Sequence, residues 1–389
     1  EANTVMSCRN EQEALESGYI FYVNPVPPPT PTTTVPLPAG YLTTYDASET
    51  RGISVDSSKN TYTTGGFTST VDFGGGDVTS AGNSDDIFVV KLDSDGNFQW
   101  VYTAGGTQYG TNFSHLKYDG GRGIDIDSSG NVYITGIFDT VVVYNVLSSG
   151  DDNANRITTD SSGNTYTTGY FSNTADFGGG DVTSNGSNDM FVVKLDSDGN
   201  FQWVYTAGGT GVDELHAIAI DSSDNVLTTG YFSNTVNFGG GDLTSSDTSD
   251  ALVLKLDSTG SFDWVQTYSG SEAQEGLGIA ADSSDNIFTT GYFLNTVDFG
   301  DGDVTSSGDQ DIYILKLNSS GSLQWIKTYG STAASTSYYD LSRDITVDTD
   351  GSVYTVGVTG ENTDFGTGNI VGSSFDSFVL KLTSSGSIE

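Results

Sequence analysis

Short segments in which apolar and polar residues alternate recur from about residue 50 to the C-terminus, separated by polar turn residues. A period of two is typical of β-strands that bury one face, and no segment shows the period of an amphipathic helix. In the clearest copy the pattern predicts four successive strands, over residues 156–160, 165–171, 190–196 and 201–206. The sequence therefore predicts an all-β fold made of four-stranded units.

Two short phrases mark these units as tandem repeats. Sixty-one residues separate Asp160 from Asp221, Asp221 from Asp282, and Lys194 from Lys255, so both phrases keep one period. Residues 88–107 and 191–210 are even identical. The first phrase is Asp-Ser-Ser-x-Asn with Thr-Gly shortly after it, and it begins at Asp56, Asp127, Asp160, Asp221 and Asp282, with a degenerate copy at Asp348. The second is Lys-Leu-Asp-Ser-Asp-Gly-Asn-Phe-Gln-Trp or a variant, beginning at Lys91, Lys194, Lys255 and Lys316, and truncated at Lys381.

The repeat has the dimensions of a propeller blade. Asp, Ser, Gly and Asn favour tight turns, so each phrase predicts a hairpin, one between strands one and two and one between strands three and four. Four-stranded units of 40–60 residues are typical of β-propellers. Six copies of the first phrase predict a single β-propeller with six blades of four antiparallel strands.

Two copies depart from this pattern. Only 33 residues separate Asp127 from Asp160, so the second blade is predicted to be short, with residues 141–147 as its third strand. Five full blades with a filler segment is the alternative count. The last copy lacks a fourth strand, and residues 41–45 are predicted to supply it, closing the propeller with an N-terminal strand and removing the exposed edge.

The repeats resemble a known family. Gly-Ile-Asp-Ile-Asp-Ser-Ser-Gly-Asn-Val-Tyr-Ile-Thr-Gly (123–136) and Asp-Ile-Phe-Val-Val-Lys-Leu-Asp-Ser-Asp-Gly-Asn-Phe-Gln-Trp (86–100) are similar to the bacterial SBBP-type β-propeller repeat. The resemblance extends from residue 52 to the C-terminus. It implies a propeller of the kind found in large secreted, cell-surface and phage-type proteins, and it brings no catalytic motif with it.

The charge balance narrows the choice of partners. The chain has 51 acidic and 13 basic residues, a formal net charge of −38. Such a chain is repelled by phosphate backbones and anionic membranes, so we expect no nucleic-acid partner. No apolar stretch approaches the length that a membrane span requires.

The N-terminal part divides into two segments ahead of the propeller at residues 40–389. Residues 1–24 match no part of the repeat and are interpreted as an anchor or attachment segment. Residues 25–39 form a linker that holds all seven prolines and should favour an extended polyproline II conformation. Within the anchor, residues 18–23 are β-prone and suited to pairing with a sheet edge, so residues 1–38 are predicted to bind a protein partner or assembly.

Candidate chemistry is sparse. His115 and His216 lie near loops outside any catalytic motif and Cys8 lies outside the propeller, so we expect no enzyme. Two hairpin turns resemble calcium loops, with oxygen-bearing side chains at alternate positions, although the same residues also suit a bare turn. These possible Ca²⁺ ligands are Asp93, Asp95, Asn97, Asp196, Asp198 and Asn200.

The recurring tryptophans and lysines are interpreted as structural. Trp100, Trp203, Trp264 and Trp325 stand once per full blade, which favours packing between blades over a carbohydrate platform. The lysines of the second phrase are expected to cover apolar surface or pair with Asp.

These observations predict a non-enzymatic structural or adhesion module, extracellular or on a cell or virion surface, displayed through its N-terminal extension. The alternative is a monomeric carbohydrate- or calcium-dependent binding domain. The long loops between strands two and three and between blades share one face, and a glycan ligand would bind there.

Overall fold

The computed structural model describes residues 19–23, 49–81, 85–105, 120–137, 144–145, 147–148, 152–246, 248–331, 340–360, 363–366, 369–370 and 376–388. All regular structure in these residues is β-strand. They contain no helix long and apolar enough to cross a bilayer. The predicted fold class, an all-β protein of the propeller type, is confirmed.

The chain forms two compact units, whose boundary runs through the third blade. The first contains residues 1–167, 174–182 and 194–202, and the second contains residues 168–173, 183–193 and 203–389. Blades are numbered below by their order of repeats along the chain.

The first unit holds blades one and two. In blade one the strand order is β2-β3-β6-β7, and a small ribbon, β4-β5, leaves it between β3 and β6. In blade two the order is β10-β1-β9-β8. The strands are β1 (Tyr19–Val23), β2 (Glu49–Val55), β3 (Thr61–Phe67), β4 (Thr70–Asp72), β5 (Asp77–Thr79), β6 (Asp86–Leu92), β7 (Phe98–Ala104), β8 (Gly120–Ile126), β9 (Val132–Ile137) and β10 (Tyr144–Asn145).

Blade three consists of β12 (Asn153–Thr159), β13 (Thr165–Asp176), β14 (Asp181–Leu195) and β15 (Phe201–Ala207), with the short β11 (Leu147–Ser148) paired to the far end of β13. Here the ribbon is continuous with the second and third strands, which explains their length. The last part of β14 together with β15 has the same sequence as residues 88–104 of blade one.

The second unit holds blades four to six, with strand orders β16-β17-β20-β21, β22-β23-β24-β25 and β26-β27-β30. The ribbon of blade four is β18-β19, and β28-β29 lies beyond β25. The strands are β16 (Glu214–Ile220), β17 (Val226–Phe232), β18 (Thr235–Asn237), β19 (Asp242–Thr244), β20 (Asp250–Leu256), β21 (Phe262–Tyr268), β22 (Gln274–Ala281), β23 (Ile287–Asp298), β24 (Asp303–Leu317), β25 (Leu323–Ser331), β26 (Leu341–Val347), β27 (Val353–Thr359), β28 (Thr363–Asp364), β29 (Asn369–Ile370) and β30 (Asp376–Leu382).

The core lies between the faces of successive blades within each unit. In the second unit Val253 of blade four is fully buried, and Ile279 of blade five belongs to the same cluster. In the first unit Val89 of blade one packs in one cluster with Ile124 and Val132 of blade two. The alternating pattern therefore buries the faces at which successive blades of one unit meet.

Of the two predictions about incomplete blades, the structure corrects one, and the other concerns residues that the structure does not describe. The prediction that residues 141–147 form the third strand of blade two is wrong: β1 takes that place beside β9, and Tyr144–Asn145, within the described part of this range, pairs on the far side of β1. The predicted closing strand, residues 41–45, lies outside the described residues. In the described part of the chain, five blades have at least four strands and blade six has three.

The first and last blades each show an apolar face to solvent. Ile53 on β2 is 58% exposed, whereas its repeat-equivalents Ile124 and Ile279 are 6% and 5% exposed. Val379 on β30 is 77% exposed, whereas the equivalent Val253 is buried. Exposed apolar faces of this kind favour self-association.

Candidate functional site

The N-terminal strand β1 is built into blade two as an internal strand. It pairs antiparallel with β9 over five residue pairs, from Tyr19 opposite Gly136 to Val23 opposite Val132. On its other side Tyr19 and Ile20 pair with β10. The strand thus has backbone partners on both sides.

β1 takes the third position of blade two, which the described residues of the second repeat do not fill. In the other blades this position is filled by β6, β14, β20, β24 or β30, all of which carry the Lys-Leu of the second phrase. That phrase is missing from repeat two. The second strand, β9, is nonetheless a core strand, with Val132 and Ile134 buried against blade one. A strand from elsewhere in the sequence therefore completes the sheet.

The sequence predicts that residues 18–23 pair with the edge of a sheet. In the structure, residues 19–23 pair with the edge of β9. In this structure the edge belongs to the same chain. Sequence reasoning did not identify β9 as the partner of this strand, although the absence of the second phrase from repeat two indicated an incomplete blade.

The predicted calcium turns have a geometry that serves the hairpin. Asp93 Oδ1 accepts the backbone N–H groups of Asp95 and Asn97 at 3.0 and 2.8 Å. The Asn97 and Gln99 side-chain amides donate to Asp93 Oδ2 at 3.1 and 2.9 Å. Gly96 closes the turn with φ of 80°, a conformation that favours glycine.

The second predicted turn repeats this arrangement. Asp196 Oδ1 accepts the backbone N–H groups of Asp198 and Asn200, and its Oδ2 accepts the side-chain amides of Asn200 and Gln202. The Asn200 hydrogen bonds lower the pKa of Asp196. For Asp93, desolvation acts to raise the pKa, but the donors on Asn97 and Asp95 outweigh it and lower it overall. The described residues contain no group of three or more His, Cys, Asp or Glu placed to hold a metal ion. Calcium binding at these turns stays a prediction.

In blades one, three and four the other hairpin of the repeat ties an Asp to the repeated lysine. Asp221 Oδ1 accepts the backbone N–H groups of Ser223 and Asn225, and its Oδ2 lies 2.8 Å from Lys255 Nζ. Asp56 with Lys91 and Asp160 with Lys194 are looser versions, at 3.9 Å. In both of these, the lysine also lies over a tyrosine ring. The prediction that these lysines pair with Asp is confirmed for Lys91, Lys194 and Lys255.

The tryptophans pack between blades within the second unit. The Trp203 ring lies against Gly260 in a hairpin turn of blade four, and the Trp264 ring lies against Gly321 of blade five. A Cβ on Gly321 would stand 3.1 Å from the ring. Trp325 donates from Nε1 to the carbonyl of Ser384 at 3.1 Å.

At the opposite end of the blades, the third strands of blades one, three, four and five each carry a buried aspartate that sequence reasoning missed. Asp86, Asp189 and Asp311 are 5%, 2% and 3% exposed. In each of them Oδ1 has no hydrogen-bond partner in the described part of the chain. Each accepts a backbone N–H on Oδ2, from Ala81, Asn185 and Ser307 respectively.

A glycine at the end of the fourth strand explains the unpartnered oxygen. A Cβ on Gly330 would lie 1.9 Å from Asp311 Oδ1, so the carboxylate rests directly on the glycine backbone. Blade four has Ser269 at this place, and its hydroxyl donates to Asp250 Oδ2 at 2.6 Å, while the Ser246 hydroxyl donates to Asp250 Oδ1 at 3.1 Å. The same site therefore occurs in two forms. In blade four both carboxylate oxygens of Asp250 accept hydrogen bonds, whereas in blade five Asp311 Oδ1 has no partner in the described residues.

Further acids lie next to these aspartates. Asp213 is fully buried and accepts backbone N–H groups from Gly209 and Ser233. Desolvation raises the pKa of Asp213 to about 6, and the charge of Asp189 adds to it. Burial likewise raises the pKa of Asp311 to about 6, with a further contribution from the charge of Asp340. Asp213 and Asp311 are thus buried acids whose raised pKa favours the neutral, protonated form more than in an exposed aspartate.

The histidines do not build a catalytic group in the described residues. His216 Nε2 lies 3.5 Å from Glu214 Oε2, and its ring meets Tyr231 edge to face. His115 and Cys8 lie outside the described residues.

The blades, hairpins and ribbons define a β-propeller repeat module. No family model matches the chain, and the resemblance to SBBP-type repeats stays a prediction. The chain is 26% identical over 172 residues to an uncharacterized WD repeat-containing protein of Acanthamoeba polyphaga mimivirus, a match that covers 39% of this chain and 12% of that protein. The match thus spans only a small part of that relative.

Two solved structures show a weak likeness. One is a protein of unknown function from Bacteroides caccae, with 10% identity, a TM-score of 0.28, and coverage of 77% of this chain and 88% of that one. The other is a mutant of the NanB sialidase from Streptococcus pneumoniae, with 13% identity, a TM-score of 0.36, and coverage of 88% and 60%. Likeness at this level carries no inference about this chain.

Proposed function

We propose that this protein is a non-enzymatic structural or adhesion module, exposed on the outside of a cell or a virus particle and joined to its assembly through residues 1–38. The observation that carries the proposal is the use of β1 as an internal strand of blade two. A segment ahead of the repeats is thereby a structural strand, and in the sequence the proline-rich linker stands between it and blade one. The net charge of −38 suits a surface in contact with a salty medium, where charge repulsion is screened.

The test is the solution mass by light scattering of the full chain and of a chain that starts at Gly40. We expect the full chain to associate and the shortened chain to stay monomeric. Circular dichroism checks that the shortened chain remains folded. A matched Ile53→Ser/Val379→Ser variant of the full chain removes the most exposed apolar side chain from each of these two faces and should still associate. The same number of chains per particle for the full and the shortened protein would contradict the proposal.

The alternative function, a monomeric carbohydrate- or calcium-dependent binding domain, is favoured by the repeated ribbons. Their tips carry exposed acids, such as Asp72, whose Oδ1 accepts the N–H groups of Gly74 and Gly76. The same light-scattering series with Ca²⁺ and with chelator, extended by a glycan array, tests it. A monomeric full chain with saturable glycan or Ca²⁺ binding would favour this alternative over the proposed one.

A further inference from the structure

The arginines of this acidic protein are concentrated on the first strands of the blades in the first unit. The chain has five arginines, and three of them, Arg51, Arg122 and Arg156, lie on β2, β8 and β12, the first strands of blades one to three. These strands carry only two acidic residues, in a chain with 51 acidic and 13 basic residues. The equivalent strands of blades four and five, β16 and β22, carry Glu214 and Glu275 and no Arg or Lys. The positive charge is therefore a local property of β2, β8 and β12.

Two of these arginines lie at β-bulges. The register of β2 against β3 skips Arg51, and the register of β8 against β9 skips Arg122, so each is the extra residue of a bulge. A bulge re-aims the side chain of its strand, and bulges are over-represented next to active sites. Blades one and two therefore present an arginine from the same backbone feature.

Glycines let the three strands approach closely enough to bring the arginines together. A Cβ on Gly52 would lie 2.9 Å from the carbonyl oxygen of Arg122, and a Cβ on Gly123 would lie 3.0 Å from the Cα of Arg156. The Arg156 side chain reaches blade one, where its Nη1 lies 3.5 Å from the carbonyl oxygen of Arg51. The three arginines thus form one row across blades one to three.

Side chains around the row hold it in place. Arg122 Nη1 donates to Asn155 Oδ1 of β12 at 3.4 Å. Three residues further along β8, Asp125 Oδ1 accepts the Ser54 hydroxyl at 3.0 Å, and its Oδ2 accepts the N–H and the hydroxyl of Thr159 at 2.7 and 2.9 Å. These hydrogen bonds join β2, β8 and β12, so the row is pre-organised, which lowers the entropic cost of binding a ligand.

We propose that the row of Arg51, Arg122 and Arg156 binds the carboxylate group of a small acidic ligand. A guanidinium group presents a planar fork of donors that matches a carboxylate. Arg51 is exposed and the other two are half-buried, so the row can be reached from solvent. The net charge of −38 repels an extended polyanion, whereas a compact ligand with one negative charge is repelled far less. This inference goes beyond the proposed function and does not depend on association through residues 1–38.

Saturation-transfer NMR of the full chain with glucuronate, and with glucose as the neutral match, tests the ligand class. We expect saturable binding of glucuronate, with a Kd of roughly 1 mM that rises with salt, and no binding of glucose. Acetate, a bare carboxylate, should compete with glucuronate. Equal affinity for the two sugars, or no saturable binding of either carboxylate, would overturn the proposal and would leave the light-scattering test of the proposed function unaffected.

Substitutions locate the site within the row. Arg122→Ala should weaken glucuronate binding by about tenfold or more, and Arg122→Lys, which keeps the charge but loses the fork, should weaken it less. Arg51→Ala changes an exposed side chain and should weaken binding without affecting the fold, which circular dichroism checks. The matched control is Arg343→Ala, because Arg343 is the exposed extra residue of the equivalent bulge in blade six. It should leave the affinity unchanged, and equal affinities of Arg51→Ala and Arg343→Ala would overturn the proposal.

Discussion

The two ends of the blades use aspartate in opposite ways. At the hairpin end, Asp221 is surrounded by donors: two backbone N–H groups, the Asn225 amide and the Lys255 ammonium. At the loop end, Asp311 has one backbone donor on Oδ2, none on Oδ1, and a second acid nearby. Both side chains are buried. The difference shows that the number of donors, and not burial alone, decides which protonation state a buried carboxyl group favours.

The two ends should therefore respond to pH in opposite directions. For Asp221, desolvation acts to raise the pKa, but Lys255 and the turn donors lower it overall. Its contribution to stability is present above the usual pKa of 3.8 and is lost as pH falls. For Asp311 the pKa is raised to about 6, so its contribution is complete below 3.8 and is lost as pH rises through about 6.

The largest effect is expected at the hairpin end. Asp221→Asn keeps the shape but replaces an oxygen acceptor by an amide and leaves Lys255 without its counter-ion. Breaking a buried ion pair from one side is strongly destabilising, so the free energy of unfolding at pH 7 should fall by about 3 kcal/mol. Urea denaturation measures it. The exposed turn of Asp196 offers the control, Asp196→Asn, which should have a much smaller effect. Equal losses of unfolding free energy in Asp221→Asn and Asp196→Asn would contradict the expected difference between the buried, ion-paired aspartate and the exposed one.

A second variant asks whether the unpartnered oxygen at the loop end results from the glycine. Gly330→Ala places a Cβ against Asp311 and should destabilise by about 2 kcal/mol through overpacking. Gly330→Ser adds the same Cβ but supplies the hydroxyl that Ser269 gives Asp250 in blade four. The serine variant should therefore be the more stable of the two by thermal unfolding. A serine variant no better than the alanine variant would mean that the missing donor is not what distinguishes blade four.

The smallest effect is expected for Asp311→Asn, which tests the pH dependence of stability at the loop end. In Asp311→Asn the amide oxygen can keep the Ser307 N–H, and the neutral NH₂ replaces the oxygen that has no partner in the described residues. The variant should be more stable than the parent at pH 7 by about 1 kcal/mol, and the gain should vanish near pH 4. Unfolding free energies between pH 4 and 7.5 check this. A gain that is constant across this range would show that Asp311 does not titrate there.

Much of the fold could be predicted from sequence because the determinants are local. The Asp-Ser-Ser-x-Asn phrase predicts its hairpin through Asp221 and Asn225, whose bonds stay within five residues. A tryptophan recurs once per full blade, and this recurrence predicts packing between blades. The contact of Trp264 with Gly321 of the next blade confirms the prediction.

What could not be predicted depends on distant parts of the chain. Nothing local to Tyr19–Val23 says that its partner is β9, more than 100 residues away. The buried acids were missed for a similar reason: Asp311 reads as a polar strand start, and only the glycine of the following strand shows that the carboxyl group is enclosed.

The identity of residues 88–107 and 191–210 has a consequence for how the chain folds. The third and fourth strands of blade one and the corresponding part of blade three are interchangeable by sequence, so β3 has two equally good partners during folding. Only the length of the intervening chain favours the nearer one, and loop-closure entropy rises slowly with length. Refolding should therefore pass through mispaired species that must reopen, and a slow phase is expected.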